Sequence, residues 1–283
     1  MVLREDKNKI DGGLYVISTP IGNLRDITLR AIDILKKSDL ILCEDTRVSK
    51  KLLDHYKINK KIISYHKFNE KKKLEKIKEL LKKKQIISLI SDAGTPAISD
   101  PGRILINDCV SEKIPIIPIP GPSAVTTSLS VSGFSDNFYF HGFLSDTDNS
   151  IRKEFEIFRN LNCTIIFFIS AQKLNKKFDL LKEFFLERKI LICRELTKLH
   201  ESFYRGKVSD ITNFNFNPKG EVTVIISEGE TSKKTDLDES DKIKIKKLIK
   251  NKSIKDIVRI FSQEKNISKS KIYNYCLQIK NEK

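Results

Sequence analysis

Residues 91 to 102, Ser-Asp-Ala-Gly-Thr-Pro-Ala-Ile-Ser-Asp-Pro-Gly, put two carboxylates, Asp92 and Asp100, among two glycines and two prolines. Small side chains and exposed backbone N–H groups let a cofactor approach closely, so this composition points to a ligand-receiving loop. Related turns follow at Pro20, Ile21 and Gly22, and at Pro120, Gly121, Pro122, Ser123 and Ala124. Six of the eight prolines lie between positions 96 and 122, so rigid, φ-fixed turns are concentrated in one region. Polar groups gather at Glu44, Asp45, Thr46 and Arg47, at His66, Asn69 and Glu70, and at Arg194 to His200. No GxGxxG follows the first strand and no P-loop occurs, which argues against a dinucleotide or P-loop phosphate site.

The elements that must position these residues alternate. Short apolar runs at 14–19, 40–43, 62–65, 86–90 and 114–119 read as buried strands. Helical spacing follows each: from the caps Asp26 and Thr28 through Leu35, then over 48–56, 70–84, 102–111 and 124–131. Asp100 reads as the cap of the fourth of these helices. Such alternation implies a parallel α/β sheet with loops at its carboxyl edge. After a pause near 133–137, strands at 138–143, 164–169, 190–193, 202–204 and 221–226 and helices at 151–161 and 174–186 imply a second layer, mixed in strand direction. The expected domains are therefore 12–134 and 135–229, a polar linker at 230–240, and a helical module at 241–283.

Hydrophobic residues make up 39% of the chain and charged residues 32%, as in a soluble globular protein. No run of 18 apolar residues occurs and the start lacks an apolar signal region, so a cytoplasmic location is expected. Five scattered cysteines, without a CxxC or a paired His, imply buried free thiols and no metal. The net charge is +16, and residues 241 to 283 hold thirteen Lys or Arg against four Asp or Glu. That density points to a polyanionic partner such as nucleic acid. Three helices are expected there, at 242–250, 253–264 and 268–279, with Ser253 and Ser268 as caps. Ile254, Ile257, Val258, Phe261, Ile267, Ile272 and Tyr275 would share one core, and Lys269, Lys271, Tyr273 and Asn274 would lie on the presented helix of a helix-turn-helix.

Six blocks occur in order: TPIGNLRDITLRA, CEDTRVSKKLL, ISYHKFNE, SDAGTPAISDPG, PIPGPSA and RELTKLHESFYRG. Together they resemble the ribosomal RNA small subunit methyltransferase I family of the tetrapyrrole methylase superfamily, over about residues 12 to 229 and more loosely the helical tail. The resemblance implies a two-domain α/β fold, a homodimer, and S-adenosylmethionine held in a cleft between the domains. It implies methylation of a cytidine ribose 2′-hydroxyl in the decoding region of 16S ribosomal RNA within the small subunit. Carried onto this chain, the cofactor residues would be Pro20, Gly22, Asp92, Ala93, Gly94, Thr95, Pro96, Ser123, Ala124, Phe168 and Val224. Where the family carries an aromatic-Glu-Ser-Pro-His-Arg run, this chain has Phe168, Ile169, Ser170, Ala171, Gln172 and Lys173. Its Glu and His are absent, so no catalytic role passes to those positions.

Methyl transfer to a hydroxyl is an in-line displacement helped by a nearby base. Glu44, Asp45, His66 and Lys198 are the catalytic candidates, with Asp92 and Glu195 beside them. Arg47, Arg194, Arg205, Lys269 and Lys271 are the candidate RNA contacts. Methylation of a small tetrapyrrole-like molecule and non-catalytic RNA binding are the alternatives.

Overall fold

A computed structural model describes residues 10–214, 217, 219–229, 237, 239–249, 251–264 and 268–281. The chain divides into two units, Met1–Ser227 and Glu228–Lys283, and both α/β layers lie in the first.

The first layer contains β1 (Gly13–Ile17), α1 (Leu29–Lys37), β2 (Leu40–Cys43), α2 (Thr46–His55), β3 (Ile62–Ser64), α3 (Glu70–Lys82), β4 (Ile86–Leu89), α4 (Arg103–Ser111), β5 (Ile116–Ile119) and α5 (Ala124–Ser130). The strands lie in the order β3-β2-β4-β1-β5, and every pairing is parallel. All their carboxyl ends therefore meet at one edge. Successive side chains of a strand face opposite ways, which splits the core in two. Tyr15, Ile17, Ile41 and Cys43 pack with Ala31, Ile34 and Leu53, beneath α1 and α2. Leu14, Leu40, Leu42 and Leu89 pack with Ile77, Leu81 and Leu105, beneath α3 and α4. The connections after β1 and β4 thus leave to opposite faces, and such a switch point opens a crevice at the carboxyl edge.

The second layer contains β6 (Phe138–Phe143), α6 (Asp148–Arg159), β7 (Thr164–Ser170), α7 (Ala171–Asn175), α8 (Phe178–Phe185), β8 (Lys189–Arg194), β9 (Ser202–Lys207) and β10 (Glu221–Ile226). Its order is β6-β7-β10-β8-β9, with only β6 and β7 parallel. One face is covered by Phe155, Phe158, Leu174 and Leu181. Its other face, through Ile166, Leu191 and Ile225, packs on Val125 of α5.

Several boundaries differ from expectation. β1 stops at Ile17, because Ser18 and Thr19 turn away to hydrogen-bond the β4 loop. The helix expected over 174–186 is two: Ser170 caps α7, and the Lys176 and Lys177 N–H groups close that turn before α8 starts. α6 begins at Asp148, where Thr147 accepts from the Ser150 N–H at 3.3 Å. Asp100 caps nothing: α4 starts after Gly102, whose φ of +124° no side-chain cap accompanies.

The second unit holds α9 (Glu239–Leu248), α10 (Ile254–Glu264) and α11 (Lys269–Asn281). Ile245, Ile257, Phe261, Ile272, Cys276 and Ile279 form its core. Helix α9 begins inside the stretch expected to be linker, whose residues 230–236 and 238 lie outside the described residues, as does Ile267. Ser253 and Ser268 accept from the N–H groups of Asp256 and Lys271, and Lys269, Lys271, Tyr273 and Asn274 lie exposed on α11. No helix among the described residues is long and apolar enough to cross a membrane.

Gly102 connects this fold to the loop before it, since a Cβ there would come within 2.6 Å of Leu89. Gly102→Ala is expected to cost about 1–3 kcal/mol, read as a lower urea midpoint, because it adds a left-handed backbone to that clash.

Candidate functional site

Three loops at the carboxyl edge are tied into one surface. Thr19 and Gly94 exchange backbone hydrogen bonds of 2.9 and 3.0 Å, an isolated antiparallel bridge that ties the two loops beyond the parallel β1 and β4 strand ends. The Thr19 hydroxyl donates to the Ser91 carbonyl at 3.0 Å, and the Ser18 and Thr95 hydroxyls lie 2.9 Å apart. Thr95 also donates to the carbonyl of Pro122, beyond β5. The β4 loop holds Ala97 and Ser99 in left-handed backbone at φ +65° and +64°, strain of the kind retained at functional sites. Ser99 lies against β6 at Gly142, where a Cβ would be 2.8 Å from its hydroxyl oxygen, so the loop closes on the second sheet.

Between loop and sheet lies a cavity of about 330 Å³, within the range of small-molecule sites. The first layer contributes Ile21, Asp92, Ala93, Gly94, Thr95, Ile98, Ser99, Asp100, Ser123, Ala124 and Val125. Phe143, Phe168, Ile169, Ser170, Cys193, Leu196, Glu221, Val222 and Thr223 form the opposite wall. Of the expected cofactor residues, seven line it: Asp92, Ala93, Gly94, Thr95, Ser123, Ala124 and Phe168. The other four do not. Val224 is fully buried in the helix-covered core, one position beyond the cavity-lining Thr223. Pro20 and Pro96 are buried outside the lining. Gly22 sits beneath the 196–198 turn, where a Cβ would meet the Leu196 carbonyl at 2.7 Å.

A second, more open cavity of about 460 Å³ adjoins the same edge, lined by Glu44, Asp45, Thr46, Ser64, His66, Lys67, Phe68 and Asp92. Asp92 borders both cavities and accepts from the Asp45 N–H at 3.1 Å. Three catalytic candidates, Glu44, Asp45 and His66, meet in this second cavity. Lys198 does not join them, because its ammonium is held by Glu195 at 3.0 Å and Glu221 at 2.8 Å. Burial pulls that ammonium's pKa down, but the bonds to Glu221 and Glu195 outweigh it and keep it raised.

The carboxylates differ in character. Burial raises Glu44, with the charge of Asp92 adding to it; burial also raises Asp92, helped by Asp45 and opposed by the Asp45 N–H. Asp100 is pushed up to about 6, first by burial and then by Glu44, against a hydrogen bond from Ser91. Asp45 goes the other way, down to about 2, because the Arg47 side chain and N–H both donate to it. It caps α2 and pairs with Arg47, whose guanidinium remains largely exposed. Among the other RNA candidates, Arg205 is exposed, lying 5.0 Å over the Phe203 ring. Arg194 is only 7% exposed and donates to the carbonyls of Lys219 and His200, so it braces two loops rather than offering a free cation.

The family described as Tetrapyrrole (Corrin/Porphyrin) Methylases matches residues 13–212. The chain is 44% identical over 221 residues to Ribosomal RNA small subunit methyltransferase I of Rickettsia prowazekii (strain Madrid E), covering 77% of this chain and 79% of that protein. It is 35% identical over 273 residues to the protein of that name from Bacillus subtilis (strain 168), covering 93% of each. The chain belongs to the ribosomal RNA small subunit methyltransferase I family. Among solved structures, a diphthine synthase has a TM-score of 0.61 at 11% identity, covering 76% of this chain and 89% of that one. The methyltransferase CobJ has a TM-score of 0.57 at 14% identity, over 77% and 95%. These two share the fold.

In this member of the ribosomal RNA small subunit methyltransferase I family, the first half of the run at 168–173 falls on the cavity wall. Phe168, Ile169 and Ser170 line it, Ala171 turns into the core, and Lys173 pairs with Asp146 on the surface. Sequence reasoning missed Asp100 as a lining residue, although its loop was singled out, because a carboxylate before a helix resembles a cap. It also missed Cys193, Glu221 and Thr223, for which period-2 alternation shows two faces but not which one meets the other sheet, and Ile21 and Leu196, loop residues whose packing is set by distant partners.

Asp100 binds its proton more tightly folded than unfolded, so its contribution to stability is present below the ordinary aspartate pKa and lost as pH rises through about 6. Asp100→Asn is expected to stabilise the protein at neutral pH, by about 1 kcal/mol after discounting for solvent access, with the gain vanishing near pH 4 in thermal melts.

Proposed function

We propose that this chain transfers a methyl group from S-adenosylmethionine to the ribose 2′-hydroxyl of a cytidine in the decoding region of 16S ribosomal RNA, within the small subunit. The observation that carries this reading is the pair of cavities joined at Asp92, in a chain of the ribosomal RNA small subunit methyltransferase I family. The first cavity fits the cofactor, combining small walls at Ala93, Gly94 and Ala124, apolar surface at Ile21, Leu196 and Phe168, and polar groups at Ser123, Thr223 and Asp92. When bound, the cofactor supplies an electrophilic methyl group on a sulfonium.

The chain's own residues do the rest. The laced loops hold their backbone in place before any ligand arrives, which lowers the ordering cost of binding. In this reading Asp92, which borders both cavities, takes the hydroxyl proton, and its raised pKa makes it a stronger base than an ordinary aspartate. Burial maintains that shift, with the charge of Asp45 adding to it against the N–H that Asp45 donates. Arg47, Arg205, Lys269 and Lys271 supply cations for the RNA backbone.

Purified protein is expected to move tritiated methyl from S-adenosylmethionine onto small subunits, on a cytidine ribose; methylation of a base, or no transfer, refutes the reading. Asp92→Asn keeps an oxygen for the Asp45 N–H and is expected to lower kcat about 100-fold or more, with a far smaller change in calorimetric cofactor affinity. Transfer at the wild-type rate by that variant removes Asp92 from the proton's path. Lys269→Glu combined with Lys271→Glu is expected to weaken subunit binding and flatten its log-log salt dependence by about two.

A further inference from the structure

The open cavity at Glu44, Ser64, His66 and Phe68 shares only Asp92 with the cofactor cleft, so its own occupant remains to be assigned. Its walls carry the carboxylates of Glu44, Asp45 and Asp92. The Glu44 and Asp92 carboxylates can accept hydrogen bonds from sugar hydroxyls and from an exocyclic amine, as carboxylates do with cytosine N4. Lys67 is also part of the wall, exposed like its neighbours Lys71 and Lys72, and can meet a flanking phosphate. The chemistry fits a nucleoside with its backbone at the lysine side.

Phe68 also lines this cavity, and 85% of its surface is exposed. Its ring is not on a loose tether. The Phe68 N–H donates to His66 Nδ1 at 3.3 Å, the Asn69 N–H donates to the His66 carbonyl at 2.9 Å, and Asn69 Oδ1 accepts from the His66 N–H at 3.0 Å. The turn therefore holds the ring at the surface beside the hollow, with the Lys67 ammonium 5.0 Å over one face, so that a base would stack on the opposite one. Every nucleobase has a π-face that can stack on such a ring, and a stacked base would fix the position of its own ribose.

We propose that this cavity receives the nucleotide to be modified, with its base stacked on Phe68 and its sugar hydroxyl directed to Asp92. The proposal rests on the methyl-transfer reading above and adds the place and mode of substrate binding. Neighbouring phosphates then fall to the exposed lysines, Lys67 at the cavity wall among them.

The test compares wild type, Phe68→Ala and Phe68→Tyr in methyl transfer to small subunits isolated from cells lacking this protein, with cofactor affinity measured by calorimetry. Phe68→Ala is expected to lower kcat/KM for subunits about 10- to 100-fold, the scale of one lost base stack. Phe68→Tyr, which keeps a ring, should stay close to wild type, and all three should bind S-adenosylmethionine equally. If Phe68→Ala works as well as wild type, the stacking proposal fails while the methyl-transfer reading stands. Equal loss in the Ala and Tyr variants, or loss of cofactor binding in either, also overturns it, since a stacked base needs only the ring. If wild type transfers nothing, the methyl-transfer reading falls, and this proposal falls with it.

Discussion

Two backbone hydrogen bonds between Thr19 and Gly94 hold the carboxyl edge of the first sheet together. Parallel pairing of β1 and β4 ends at Val16 and Leu89, and beyond it the two chains would diverge toward helices on opposite faces. The bridge delays that divergence, and the Thr19, Ser18 and Thr95 hydroxyls extend the tie to the β5 loop. Gly94, at φ +78°, makes the geometry possible at a position most residues would avoid. The strained backbone of Ala97 and Ser99 follows from the same tie, because the chain must return to Gly102 within a few residues.

From this surface the electrostatics follow. Asp92 and Glu44 stand at the ends of adjacent strands, β4 and β2, and Asp100 is brought back beside them by the folded loop. Burial raises all three, and charge adds to it: that of Asp92 on Glu44, those of Glu44 and Asp92 on Asp100, and that of Asp45 on Asp92. Asp45 escapes because Arg47, two residues on, supplies a compensating cation. One tetrapeptide, Glu44 to Arg47, therefore holds one carboxyl above and another below the usual range.

The second sheet completes the site by contact of surfaces. Its face toward α5 is apolar, and Phe168, Cys193 and Thr223 reach the cavity only because Ile21, Ala124 and Val125 pack beside them. Gly142 allows the approach, since any side chain there would strike Ser99.

Much of the fold was legible in the chain. The apolar runs of β2 and β10 coincide with their strands, because strands buried on both faces are apolar nearly throughout and turn residues bound them sharply. The edge strand β6 coincides as well, though half of its residues are exposed, because its aromatic residues favour extended backbone. The Gly/Pro turns marked the carboxyl-edge loops for a local reason, φ and cap chemistry, which needs no distant partner. What only the tertiary structure decided was nonlocal. That Asp92 borders two cavities, that Asp100 faces inward, that Arg194 is spent on loop carbonyls and that Lys198 is held by Glu221 all depend on contacts between segments far apart in sequence. Residue type and spacing record which groups can donate, accept or ionise, but burial and partners set what each does, and those exist only once the two sheets are packed.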